Sequence, residues 1–107
     1  MDTFPLRRGH LLLVAFMRER GWTQYRLAKN LGCLFSVSAR VLRRERGVGA
    51  DLAARIETAT DGAVPAASWV ENAAAEDVAT YEAALAEIVA RGAARTGLFG
   101  RPVKDAP

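Results

Sequence analysis

The stretch that decides the fold runs from Thr23 to Gly47 and reads TQYRLAKNLGCLFSVSARVLRRERG. Thr23 has the side chain of a helix N-cap, because its hydroxyl can accept a first-turn N–H. Leu27, Ala28 and Leu31 follow at the spacing of one helical face, and the small Ala28 lets a neighbour approach closely. Gly32 stands where a left-handed residue is wanted, so a helix from Gln24 to Asn30 ends there. A further helix is predicted over residues 34–45. Leu34, Val37, Ser38 and Val41 lie on its inward side, and Ser36, Ala39, Arg40 and Arg43 lie on or near the other. Gly47 and Gly49 then break the chain.

A short helix, a glycine turn and a second helix form the arrangement that presents the second helix to the major groove of DNA. Outward from this unit the reading stays helical. Residues 1–9 are a lead-in, where Pro5 and Gly9 discourage regular structure. His10 to Arg20 is a first helix closed by Gly21, with Leu13, Phe16 and Met17 on one face. His10 is expected at the surface of the helix start, and Cys33 is expected to act as a small buried hydrophobe. On the C-terminal side a fourth helix begins near Asp51 and ends near Thr60, and Asp61-Gly62 is a turn signal. Pro65 can open a short helix through Trp69 and Val70. A fifth helix is predicted from about Ala74 to Arg91. Its Val78, Tyr81, Leu85 and Ile88 recur as a heptad-type seam, read as a homodimerisation surface. The domain reading is therefore 1–72 for a helix-turn-helix domain, 73–96 for an added C-terminal helix, and 97–107 for a flexible tail.

Composition supports an all-α class. Half of the residues are hydrophobic, alanine leads them, and aromatic residues make up 7%. Charge is unevenly spread: residues 1–60 hold eleven Arg/Lys against five Asp/Glu, and residues 61–107 hold four against seven. A basic first half suggests a polyanionic partner. One cysteine, Cys33, excludes a disulfide within the chain and fits a reducing cytoplasm. No Cys/His cluster has metal-ligand spacing, and no cofactor is implied. No nucleophile–base pair, carboxylate dyad or phosphate loop is visible, so an enzyme is not expected. No segment is long enough to span a membrane.

GWTQYRLAKNLG resembles the opening of the Cro/CI-type (XRE-like) helix-turn-helix family through Gly21, Thr23, Gln24, Leu27, Ala28, Leu31 and Gly32. DLAARIETATDGAVPAASW resembles the segment after the recognition helix in the YdaS-like branch of phage regulators and antitoxins. Together the two stretches cover roughly residues 10–70. The resemblance implies a sequence-specific double-stranded DNA-binding regulator, a cytoplasmic, nucleoid-associated homodimer that represses phage-like genes. It places Gln24 near the DNA backbone with Thr23 as the cap, and it makes Phe35, Ser36, Ala39, Arg40 and Arg43 the outward residues of the reader helix. Arg44 and Arg46 would meet phosphate. The pattern departs after Gly32: Cys33, Leu34 and Phe35 replace the usual Val-Ser, and Ser38 stands at a usual apolar core position. The reader helix either keeps the stripe given above, is rotated, or starts later with Ser36 as its cap. Phe35 is accordingly a thymine-methyl contact, a core residue or an anchor for a protein. The alternative function is a protein-interaction module or antitoxin built on the same scaffold.

Overall fold

In the computed structural model, which describes residues 3–96, five α-helices and one 3-10 helix follow in order. They are α1 (Arg8–Arg20), α2 (Gln24–Leu31), α3 (Phe35–Leu42), α4 (Ala50–Ala59), the 3-10 helix (Ala66–Val70) and α5 (Asp77–Thr96). The described residues contain no strand, only an isolated antiparallel bridge between Arg7 and Asn72. The fold class is all-α.

The stops and starts have local causes. Gly21 closes α1 at φ 69°, and the Trp22 N–H reaches back to the Met17 carbonyl at 2.9 Å. Both features belong to a left-handed C-cap, which satisfies carbonyls that the helix leaves open. Thr23 Oγ1 then accepts the Arg26 N–H at 3.1 Å and starts α2. After α4, Asp61 and Gly62 both take positive φ, 54° and 85°, so the predicted turn is present.

Gly9 does not interrupt structure as its type suggested; it lies inside α1. A Cβ at this position would fall 2.4 Å from Trp69 Cδ2. Glycine is needed here so that α1 can approach the 3-10 helix, and that packing outweighs its poor helix propensity. His10 is likewise buried rather than exposed, with 3% of its surface accessible. Its ring meets Trp69 edge-on at 4.9 Å and Tyr81 at 5.7 Å between centroids. Nδ1 accepts the Arg7 backbone N–H at 3.0 Å, so the imidazole acts as the third-position half of a capping box at the start of α1.

One core serves all the helices. Leu13 and Met17 of α1, Leu27 of α2, Leu42 of α3, Ile56 of α4, and Tyr81 and Ile88 of α5 are buried in a single cluster. Each such side chain contributes roughly 1.5–3 kcal/mol of transfer free energy. α1 packs on α5 and the 3-10 helix, while α2 contacts α3, α4 and α5.

This corrects the reading of the C-terminal helix. Tyr81, Leu85 and Ile88 are core residues of their own chain, and Val78 packs against them. The seam is spent within the molecule and is not left open for a second copy. The boundary at residue 72 is corrected with it, because α5 completes the core that begins at Leu6. The predicted tail, 97–107, lies outside the described residues.

Candidate nucleic-acid interface

α2, the three-residue turn Gly32-Cys33-Leu34, and α3 form the helix-turn-helix unit. Gly32 takes φ 67°, and the Cys33 N–H closes back on the Ala28 carbonyl at 3.1 Å. Ala28 is buried at the junction, where a larger side chain would hold the two helices apart. α3 makes its main helix–helix packing with α2. Its C-terminal end is held from the other side, where the buried Tyr81 hydroxyl donates to the Leu42 carbonyl. Burial pushes the Tyr81 phenol well above its ordinary range, so it stays a donor.

The register of α3 differs from the expected stripe. Leu34 is the N-cap in extended conformation, and the helix begins at Phe35. The residues turned inward are Ser38, Ala39, Val41 and Leu42. Leu34, expected inside, is 72% exposed, and Ala39, expected to face DNA, is 3% exposed. The inward set 38, 41, 42 is one face at i, i+3, i+4, and Ala39 borders it. Ser38 fits an apolar slot because its hydroxyl donates to the Phe35 carbonyl at 2.9 Å, leaving no unpaired group. Of the alternatives, α3 is rotated; it does not start at a Ser36 cap. Phe35 is outside the core at 46% exposure.

The predicted contact residues therefore separate. Phe35, Ser36, Arg40, Arg43 and Arg46 are exposed, and Gln24 is half-buried at the first position of α2. Arg43 caps the end of α3 and pairs with Glu45 at 3.1 Å, an exposed contact of small energy. Thr23 is buried with its hydroxyl committed to the cap. Ala39 is corrected to a packing residue.

Arg44 is also corrected. Its side chain is 13% exposed and pairs with Glu82 of α5 at 3.3 Å. It donates to the Phe4 carbonyl at 3.2 Å, while its own carbonyl accepts the Phe4 N–H at 2.7 Å. Its φ of 59° lies in the left-handed region, which costs free energy for a side chain of this kind. Arg44 thus ties the N-terminal segment and α5 to the end of α3, and its charge is already partnered.

The unit also exposes residues that the sequence reading did not assign. Tyr25, Arg26, Lys29 and Asn30 are exposed on α2, opposite the inward Leu27, Ala28 and Leu31. A helical projection of the inward stripe would have found them. Residues 24–46 carry six Arg/Lys and a single acid, Glu45. Five of those cations, Arg26, Lys29, Arg40, Arg43 and Arg46, are exposed. No side chain caps the N-terminus of α3; the Val37 N–H turns back to the Leu34 carbonyl at 3.0 Å, which leaves the Phe35 and Ser36 N–H groups without a partner among the described residues and open to an acceptor such as phosphate.

No family model, no curated protein and no solved structure matches the chain.

Proposed function

We propose that the chain binds double-stranded DNA as a helix-turn-helix transcriptional regulator, with α3 lying in the major groove. The observation that carries this reading is one continuous unit: a glycine-turned α2–α3 pair whose outward side carries five exposed cations and no unpaired acid. Arg26, Lys29, Arg46 and the α3 N-terminus would hold phosphates and fix the register. Arg40 can fork onto guanine, Ser36 can bond to a base edge, and Leu34 and Phe35 can pack on thymine methyl groups. The site thus combines polar and apolar readout.

In the Cro/CI-like reading the regulator represses phage-like genes. A dimer on the operator would then be held by a surface other than the α5 seam. DNA selected from a random pool by the full chain, followed by anisotropy titration over a salt series, tests the proposal. A consensus should emerge, and affinity should fall with a log–log slope of about −0.9 per phosphate contact. Absence of any selected sequence, together with salt-insensitive binding, would overturn it.

A second reading rests on Leu34 and Phe35, two adjacent exposed apolar side chains that could equally anchor a protein. An antitoxin would use such a face for its toxin. Salt-independent capture of a protein, with no DNA selection, would favour that reading.

A further inference from the structure

Leu34 and Phe35 stand side by side at the tip of α3, and neither belongs to the core cluster. Leu34 is the N-cap, where a hydroxyl, carboxylate or amide would hold a first-turn N–H, and its side chain makes no cap hydrogen bond. Both side chains are exposed. Their backbone is nevertheless fixed. The Cys33 N–H bonds to the Ala28 carbonyl at 3.1 Å, and the Leu34 carbonyl accepts the Val37 N–H at 3.0 Å and the Ser38 N–H at 3.3 Å. The Phe35 carbonyl accepts the Ser38 hydroxyl at 2.9 Å. Two large apolar side chains are thus held out to solvent from an ordered turn, which lowers the ordering cost of a contact made there.

α3 offers little else to a base pair. From Cys33 to Gly49 the sequence holds no Asn, Gln, Asp, Lys or His. Asn and Gln are the side chains that fork onto adenine, and a carboxylate is the acceptor for the cytosine N4 amino group. The single acid of this stretch, Glu45, pairs with Arg43 at 3.1 Å. Arg40 suits guanine. Ser36 is exposed, and its hydroxyl both donates and accepts, so it can bond to thymine O4 or to the cytosine N4 amino group. A pyrimidine facing this tip is therefore not sorted by its hydrogen-bonding edge. What remains to sort it is the C5 position, which carries a methyl group in thymine and 5-methylcytosine and a hydrogen in uracil and cytosine. In a helix-turn-helix complex the N-terminal residues of the second helix are the ones that meet base edges in the major groove.

We infer that Leu34 and Phe35 make the chain a reader of the pyrimidine C5-methyl group, a specificity that rests on the reading of α3 as the groove helix. 5-Methylcytosine then substitutes for thymine at the contacted position, and methylation of a cytosine there raises affinity for the site. Taking one methyl group out of water is worth about four-fold in affinity.

The test uses the full chain and the consensus duplex selected from a random pool, with affinities read by fluorescence anisotropy. Each thymine is replaced singly by uracil, which removes the methyl group and keeps the pair with adenine. The most affected position is then filled with cytosine or 5-methylcytosine opposite guanine. Thymine should exceed uracil by about four-fold at the contacted position, and 5-methylcytosine should exceed cytosine there by about the same factor. The double variant Leu34→Ala, Phe35→Ala should lose both preferences while keeping the salt slope, a split that general loss of structure does not give. The base-analogue comparisons need no variant. A consensus without thymine, equal affinity for thymine and uracil at every position, or equal affinity for cytosine and 5-methylcytosine would overturn the methyl reading. So would a double variant that keeps both preferences. Each of these results leaves the helix-turn-helix proposal standing, because consensus and salt dependence are measured separately. Absence of both consensus and salt dependence removes that proposal and the methyl reading together.

Discussion

α3 and α5 both carry conspicuous apolar side chains, yet they dispose of them in opposite ways. α5 lies on α1 and α2, and its Tyr81, Leu85 and Ile88 disappear into the core. α3 has its main support from α2 and leaves Leu34 and Phe35 in solvent. Their charges differ in the same sense. Arg40 and Arg46 of the α3 region are exposed and have no acidic partner among the described residues, whereas the acids of α5 are largely occupied: Glu82 pairs with Arg44, and Glu87 lies 3.4 Å from Arg18 and 3.8 Å from Arg91. One helix is a structural strut and the other a presented surface. An apolar pattern alone does not say which, because burial depends on how many neighbours the fold places around the helix.

Removing the strut altogether is the harshest way to break this comparison. A chain ending at Asn72 lacks Tyr81, Leu85 and Ile88 and uncovers the face of α1 that packs on them. It is expected to show no cooperative thermal transition by far-UV circular dichroism. A cooperative melt near that of the full chain would mean that residues 1–72 form the domain by themselves, as the sequence first suggested.

Single truncations sharpen the contrast. Ile88→Ala should cost about 2–5 kcal/mol by denaturant unfolding, because a fully buried residue leaves a cavity. The His10 node between the strut and the α1 start gives a pH test. Its folded pKa of about 4 lies below the ordinary 6.5, so the unfolded chain binds the extra proton between those values. Stability is then fully present above about pH 6.5 and falls as pH drops towards 4, by about 3 kcal/mol. Unfolding curves of the wild type minus those of His10→Gln should show that slope. A flat difference between pH 4 and 7 would contradict neutral burial.

On the presented helix the effects should move from stability to binding. Arg40→Ala is expected to weaken binding to the selected DNA by about 1–3 kcal/mol if it reads guanine, with the unfolding midpoint unchanged. Loss of stability instead would make Arg40 structural. Phe35→Ala is expected to cost little stability, at most about 1 kcal/mol, since the ring is not enclosed. A cost near the 3–5 kcal/mol of a core phenylalanine would place it in the interior after all.

What could be read from sequence alone was set by local rules. Thr23, Gly21 and Gly32 mark boundaries because a cap hydroxyl or a left-handed backbone acts within a few residues of itself. The same holds for the turn at Asp61-Gly62 and for the inward stripe of α2, and together these fixed the helix order and the helix-turn-helix unit. The errors came where a residue's role depends on something distant in the chain. Gly9 reads as a breaker until Trp69 is placed against it. His10 reads as a surface residue until Trp69 and Tyr81 enclose it, and Arg44 reads as a phosphate ligand until Glu82 and the Phe4 carbonyl take its guanidinium. The α3 register turned on Leu34 and Ala39, which stand in solvent and in the core respectively once α2 packs against the face of Ser38, Val41 and Leu42. The α5 seam turned on whether α1 and α2 leave it uncovered. Periodicity fixes that a face is apolar, but only the tertiary arrangement decides what covers it, because burial is a property of neighbours brought together from far along the chain.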